Sequence, residues 1–326
     1  MADAMKAARL FAAILCGSLV AHADALRIAT FNLEWMTESA TETRMAPWKS
    51  ENALAMHRRD IAGILAKVAA DVVCVQEATS RAALEKLNRE PALAPLHYRI
   101  LHVESEDTGT GQDVAFLVSP RVRLASFGGA EIRRFASALP GIPAETRRND
   151  PRRQRLTKNA LVCMESPKIC LLGLHLLAHP DDRSRNAKRE TQARVAAGII
   201  RTEIVAKGYA PIVLGDFNDF DPSVGGPSDY KDKARKVLAL IRDYDTTRIG
   251  PELFNASSRV SPESERWSAW WDKDENGTRD ASDPVSLIDH ILIDKSLEAR
   301  VKNVEIRHDL HDGKASDHWP VVLDLN

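Results

Sequence analysis

No excess of either charge marks this sequence: 45 Lys and Arg against 46 Asp and Glu leave a net charge of −1 over 326 residues. A global basic field for nucleic acid is thereby excluded, although local patches are not. Cysteine is scarce, four in all, and there is no internal repeat, no low-complexity tract and no linker long enough to separate two domains. Nor does the apolar run Leu10–Val20 reach the roughly 20 residues that a membrane-spanning helix needs. What remains, 44% hydrophobic and 28% charged residues, is an ordinary globular composition. The length permits one large domain.

The N-terminus stands apart. Lys6 and Arg9 precede Leu10–Val20, and Ala21-His22-Ala23 has the small-x-small form of a cleavage site. This predicts a secretory signal over residues 1–23, leaving a mature chain of residues 24–326 in the periplasm or beyond; an uncleaved anchor is the alternative. Leu15 before Cys16 argues against lipidation, which wants a small residue there. Of the remaining cysteines, Cys163 and Cys170 bracket Met-Glu-Ser-Pro-Lys-Ile between two apolar runs. A tight turn at Ser166-Pro167 would set them opposite one another on a hairpin, which in an oxidising compartment predicts a cross-strand disulfide. Cys74, in Val72-Val73-Cys74-Val75, is expected to fill the core.

After the leader, strand-like runs alternate with a few helical stretches. Strands are expected at 26–31, 71–75, 114–118, 161–164, 169–175, 212–214, 287–293 and 321–325. Leu54, Ile61, Ile64, Leu65 and Val68 recur at helical steps and predict a helix over 51–69; others are expected over 187–206 and 233–242. Many strands with few helices predict a layered α/β protein with sheets packed face to face.

The chemistry gathers at strand ends. Pro211-Ile-Val-Leu-Gly-Asp-Phe-Asn-Asp219 is a short apolar strand, a glycine that lets the chain turn, and then Asp216 and Asn218 two residues apart. Thr30-Phe-Asn-Leu-Glu-Trp35 places Asn32 and Glu34 at the end of the first strand, and Gln76-Glu77 follows the next. Leu174-His175-Leu176 ends a very apolar strand, Ile288-Asp289-His290-Ile291 embeds an acid in one, and Ser316-Asp317-His318-Trp319-Pro320 sets an acid beside a histidine. Taken singly these are rim charges, turn residues or core histidines. Together they supply hard oxygen ligands, amides and imidazoles, the inventory of a metal-assisted attack on phosphorus.

These stretches, in this order over residues 26–325, resemble the endonuclease/exonuclease/phosphatase superfamily of DNase I-like metal-dependent phosphoesterases. The resemblance implies a four-layer α/β/β/α sandwich, two face-to-face, mainly antiparallel sheets flanked by helices. It implies Mg²⁺ or Mn²⁺ held by Glu77, with Glu34 and Asp317 close by. Asn32, Asn218 and His175 would hold phosphate oxygens, Asp216 would orient or deprotonate the attacking water, and His318 paired with Asp289 would contact the scissile phosphate. Asp113 either orients His175 from behind, as an acid does in some relatives, or is a solvated turn acid.

Three further stretches stay open. Arg147, Arg148, Arg152, Arg153, Arg155 and Lys158 form either a phosphate contact, with Arg153 and Arg155 foremost, or a solvated loop. Arg185, Lys188, Arg189 and Arg194 are expected on a solvated helix face. Asp272, Asp274, Asn276, Thr278, Asp280 and Asp283, with Gly277 at the sixth position, match the spacing of a Ca²⁺ loop, although position 12 is Asp rather than Glu; the alternative is an acidic surface loop. Trp267, Trp270 and Trp271 just before it are expected in the core, with a substrate wall as the alternative.

The expected activity is therefore hydrolysis of a phosphodiester by an exported monomer, with nucleic acid as the favoured substrate because of the Arg-rich segment and the leader. A sphingomyelinase-like action on membrane lipid is the first alternative, weakened by the lack of an aromatic-rich apolar hairpin. A phosphomonoesterase acting on inositol phosphates or nucleotides is the second. A non-catalytic phosphate-binding module is disfavoured by the intact set of site residues.

Overall fold

The computed structural model describes residues 25–326 except 136, 144–145, 228–234, 277–278 and 281. The expected leader, the first residues of the helix expected over 233–242, Gly277 and Thr278 lie outside the described residues. In chain order the main elements are β1 (Leu26–Met36), α1 (Glu51–Val68), β2 (Val72–Ala78), α2 (Arg81–Asn88), β3 (Arg99–His102), β4 (Asp113–Val118), β5 (Ile132–Arg133), β6 (Asn159–Cys163) and β7 (Ile169–His175). They continue with α3 (Arg183–Ile199), β8 (Ala210–Asp216), α4 (Val237–Arg242), β9 (Leu253–Asn255), β10 (Ala269–Trp270), β11 (Val285–Ser286), β12 (Asp289–Asp294), β13 (Val301–Ile306) and β14 (Val321–Leu325).

Twelve strands make two six-stranded sheets, ordered β13-β14-β1-β2-β4-β3 and β5-β6-β7-β8-β12-β9; β10 and β11 form a small separate ribbon. Each sheet has one parallel pair, β1 with β2 and β7 with β8, and the other neighbours run antiparallel. Strict alternation along the strands builds the layers. Ile28, Val72, Cys74, Val114 and Phe116 of the first sheet meet Ala160, Val162, Leu171, Ile212, Leu214 and Ile291 of the second in one core between the sheets. The residues between them, Ala29, Phe31, Val73 and Val75, pack under α1 and α2. On the other outer side Leu161, Leu172, Val213 and Leu292 pack under α3 and α4. Central strands buried on both faces explain the near-continuous apolar runs of the sequence. The expected four-layer sandwich is what the chain forms.

Gly173 sets the spacing at one point: an added Cβ would stand 2.6 Å from Cys74 Sγ and 2.8 Å from Val114 Cγ1 on the facing sheet. Cys163 and Cys170 face each other in the β6–β7 register and are joined as a disulfide, as the hairpin predicts. The helices differ from expectation at their ends. Ser50 caps α1 by accepting the Ala53 N–H at 3.2 Å. Asp182 does the same for Ser184 at 2.8 Å, so α3 begins four residues before the expected start.

Candidate active site

The polar residues converge where β1, β2, β7 and β8 end and β12 begins. Gly215 does not end the strand but lies inside β8, between Leu174 and His290, at φ 135° where a Cβ would collide with the Leu174 carbonyl, and the strand carries on to Asp216 at the rim. In the second sheet Asp216 pairs with His175 on one side and with Asp289 on the other. The first sheet contributes Asn32 beside Gln76, then Glu77. Glu34, Trp35, Glu77 and Asn218 all have positive φ, between 47° and 65°. A left-handed backbone at four non-glycine residues of one rim is the kind of strain that clusters at functional sites.

Asn32 ties the sheets together. Its Nδ2 donates to Glu77 Oε1 at 3.2 Å and to Asp216 Oδ2 at 3.1 Å, and its Oδ1 accepts the Glu34 N–H at 3.0 Å. Asp216 Oδ1 accepts the Asn218 N–H at 2.8 Å, and Glu77 Oε2 accepts the Trp35 N–H at 3.1 Å. His175 Nε2 stands 3.8 Å from Glu77 Oε1 and 3.7 Å from Asp216 Oδ2, while its Nδ1 is buried with no hydrogen-bond partner. Opposite it, His318 Nδ1 meets Asp289 Oδ2 at 2.7 Å; that oxygen also accepts from Ser268 Oγ at 2.8 Å. His318 Nε2 faces Asp216 Oδ2 at 3.9 Å and Asp317 Oδ1 at 3.8 Å.

The electrostatics divide these groups. Burial, then repulsion from Asp289, pushes Asp216 up to about 7. Burial, then Asp317 and Glu77, pushes Glu34 up to about 9, and burial with Asp317 also raises Glu77. Burial holds the His175 imidazole well below its ordinary value, with Lys158 and His318 adding to the effect. For His318 burial works against the charged ring, but Asp289, Asp317 and Asp216 outweigh it, and its pKa lies well above the usual value. A neutral and a protonated imidazole thus flank Asp216 at neutral pH.

The structure corrects several sequence expectations. Asp113 does not orient His175: its oxygens take His102 Nε2 and the Ser105 N–H, each at 2.6 Å, because β3 brings His102 alongside. Glu34, Glu77 and Asp317 approach one another but are not among the trios of ligand atoms lying mutually within 4.8 Å; among the described residues these are Asp216–Asp289–His318 and Asp272–Asp274–Asp283. Glu34 sits near the end of β1, Glu77 near the end of β2 and Asp317 just before β14, and the acids repel one another. Trp267 is core, stacked on His308 at 3.7 Å, whereas Trp271 is 62% exposed because it lies beyond β10. Arg189 is not on a solvated face but is fully buried, 3.1 Å from Asp219 Oδ2 and bonded to the carbonyls of Leu177, His179 and Pro180. Within the Arg-rich segment Arg153 donates to the Pro143 carbonyl and Arg155 pairs with Glu106. Lys158 is the member that turns inward, a residue the sequence offered only as one of six cations.

A cavity of about 440 Å³ opens onto Asn218, Asp317 and His318 and is walled by Pro180, Trp270 and Trp271. Its wall is tied to the dyad: Ala269 bridges to His318, and the Trp270 N–H donates to the Asp317 carbonyl at 3.0 Å.

Residues 29–318 match the family model described as the Endonuclease/Exonuclease/phosphatase family. The chain belongs to that family. Its members are metal-dependent phosphoester hydrolases, and this chain is one of these enzymes. No curated protein matches the sequence. Among solved structures, TDP2 of Caenorhabditis elegans superposes with a TM-score of 0.55 at 16% identity, over 93% of this chain and 75% of that one. The 3'-5' exonuclease NExo of Neisseria meningitidis gives 0.56 at 15% identity, over 92% and 100%. D. rerio TDP2, solved with a single-strand DNA product, gives 0.57 at 17% identity, over 93% and 99%. Such likenesses speak to the shared sandwich. The family's divalent ion fits the residues present: Asp317 Oδ1 is buried without a hydrogen bond, and Glu34 and Glu77 are acids crowded into one rim.

Proposed function

We propose that the chain is an exported, Mg²⁺- or Mn²⁺-dependent nuclease that hydrolyses phosphodiesters of nucleic acid. The observation that carries this reading is the pairing of His318 and Asp289 across from Asp216, with His318 and Asn218 lining a cavity that has two tryptophans in its wall. Glu77, Glu34 and Asp317 would hold the ion, which when bound supplies Lewis-acid stabilisation of phosphate charge and a more acidic water. Asn218 and His175 hold phosphate oxygens, while Asn32, whose two amide hydrogens go to Glu77 and Asp216, keeps those acids in place. Asp216 orients the attacking water or takes its proton. Protonated His318, donating from Nδ1 to Asp289, keeps Nε2–H for an oxygen on which negative charge develops. Its charge is also why the nearby Asp216–Asp289–His318 trio is assigned to hydrogen bonding rather than metal ligation, since imidazolium has no lone pair to give.

The choice of nucleic acid is supported by Trp271 in the cavity wall, 62% exposed and so open to stacking with a base. It is also supported by the DNA products in the D. rerio TDP2 and Neisseria NExo structures. Supercoiled plasmid incubated with the mature protein and Mg²⁺ should be nicked, and EDTA should abolish this. Intact plasmid at high concentrations of folded enzyme would overturn the nuclease reading and direct the assay to sphingomyelin and inositol phosphates.

A further inference from the structure

One wall of the cavity is held by buried charge. Residues 177–181 join the end of β7 to the start of α3, and His179, Pro180 and Asp181 line the cavity. Four successive carbonyls of this loop accept from arginines. Arg189 Nη1 donates to Leu177 at 3.2 Å and to His179 at 3.0 Å, and its Nη2 donates to Pro180 at 3.2 Å. Arg185 Nη1 donates to Ala178 at 3.4 Å, and Arg235 Nη1 to Pro180 at 2.6 Å. His179, at φ 64°, takes a left-handed conformation within this set.

The same guanidiniums tie the wall to the row of Asp289, Asp216 and His175, which stand in register across β12, β8 and β7. Arg189 Nε donates to Asp219 Oδ2 at 3.1 Å and Arg235 Nη1 to Asp219 Oδ1 at 3.0 Å. Asp219 directly follows Asn218, whose Nδ2 donates to the Leu176 carbonyl at 3.2 Å, next to His175. Arg235 also lies 4.7 Å over the Phe220 ring, and Phe220 packs on Ala269 and Ile288 of the cavity lining. Arg189 and Asp219 are fully buried. Two guanidiniums on one carboxylate leave an excess positive charge in the interior, which the carbonyl dipoles balance. A buried ion cluster is a poor source of stability, because desolvation offsets the attraction. What this one supplies is geometry, since a planar fork fixes several acceptors at once and an ammonium does not.

We infer that Arg189 is a positioning residue that fixes the 179–181 wall of the cavity and so decides how the substrate group beside the scissile phosphate is gripped, without touching the phosphate itself. This rests on the phosphoester reading above, which places the phosphate in the row. Calorimetric titration in Mg²⁺ with inorganic phosphate and with phenylphosphonate separates wall from row, because only the second ligand carries a group for the cavity. Wild type should bind phenylphosphonate more tightly than phosphate. In Arg189→Lys that margin should shrink about 10-fold, the scale of one altered contact in an apolar pocket, while phosphate affinity is retained. A purely stabilising Arg189 would lower the unfolding midpoint and leave the margin intact, which overturns the inference. An equal loss for both ligands also overturns it, as does a wild type that binds no phosphate or shows no aryl margin. If Arg189→Lys does not fold, Arg235→Lys is read in the same way, since Arg235 shares both Pro180 and Asp219. Hydrolysis of bis(p-nitrophenyl) phosphate keeps the two readings apart. A wild type whose margin falls in the variant but which cleaves no ester defeats the functional proposal alone. An active wild type with an unchanged margin in the variant defeats only this one.

Discussion

Asp216 and His318 face each other across 3.9 Å, are assigned opposite duties in the proposed reaction, and can each be removed without emptying the core. Asp216→Asn keeps the shape and loses the basic oxygen. His318→Ala removes the cation opposite the developing charge and leaves Asp289 with Ser268 as its partner. Each substitution should lower turnover at least about 10²-fold, the usual scale for general acid–base or charge-stabilising groups. Near-wild-type turnover in either, measured on plasmid with Mg²⁺, counts against its role. These residues were legible in the sequence because Asp216 follows directly on a strand-forming apolar run and His318 comes just before one, so local pattern alone put them at a sheet rim. Lys158 was not, because its inward direction is fixed by the pairing of β6 with β7. Asp113 was misjudged for the same reason: its partner His102 lies on β3, whose four residues are all half-buried and gave no alternating signal.

At the level of elements, sheet spacing is set by side-chain volume, and Gly173 is where it is tightest. Gly173→Ala should destabilise by about 1–3 kcal/mol, the range for overpacking a filled core. The guanidinium-unfolding midpoint reads this directly. Adding Cys74→Ala should return part of the loss, because Cys74 Sγ is the nearest atom to the new methyl; strict additivity of the two changes would show that the clash is elsewhere. Central strands and α1 were visible as runs and periodicity, whereas β3, β9, β13 and α2 were missed. Edge strands carry mixed polar residues on a half-solvated face and look like loops. Arg189 illustrates the other limit. A cation on a helix reads as solvated unless one knows that Asp219 and three loop carbonyls will surround it.

For the whole molecule, the site's charges set how stability depends on pH. His57, His175, His290 and His311 are held below the ordinary value, chiefly by burial, so they favour folding progressively as pH rises towards 6.5 and add nothing further above it. Above that point the raised acids and His318 share one sign, while Lys158, held below its ordinary value chiefly by burial, opposes them only once pH passes its own folded pKa. Unfolded Glu and His titrate near 4.5 and 6.5, whereas folded Glu34 titrates at about 9 and folded His318 well above 6.5. Between 6.5 and about 9 the folded, metal-free protein therefore holds protons that the unfolded chain has released, and stability falls as pH rises. The slope is about 1.4 kcal/mol per pH unit for each such proton. On the proposed assignment, Mg²⁺ bound to Glu34 would displace its proton, so the ion should stabilise more at pH 8.5 than at 6.5 and flatten the decline. Denaturant unfolding in EDTA and in Mg²⁺ across this range measures both effects. In Glu34→Gln the EDTA slope should lose the contribution of one proton. A metal-free stability that rises between pH 6.5 and 8.5, or a Glu34→Gln slope equal to wild type, would show that the crowded acids do not control the molecule's stability.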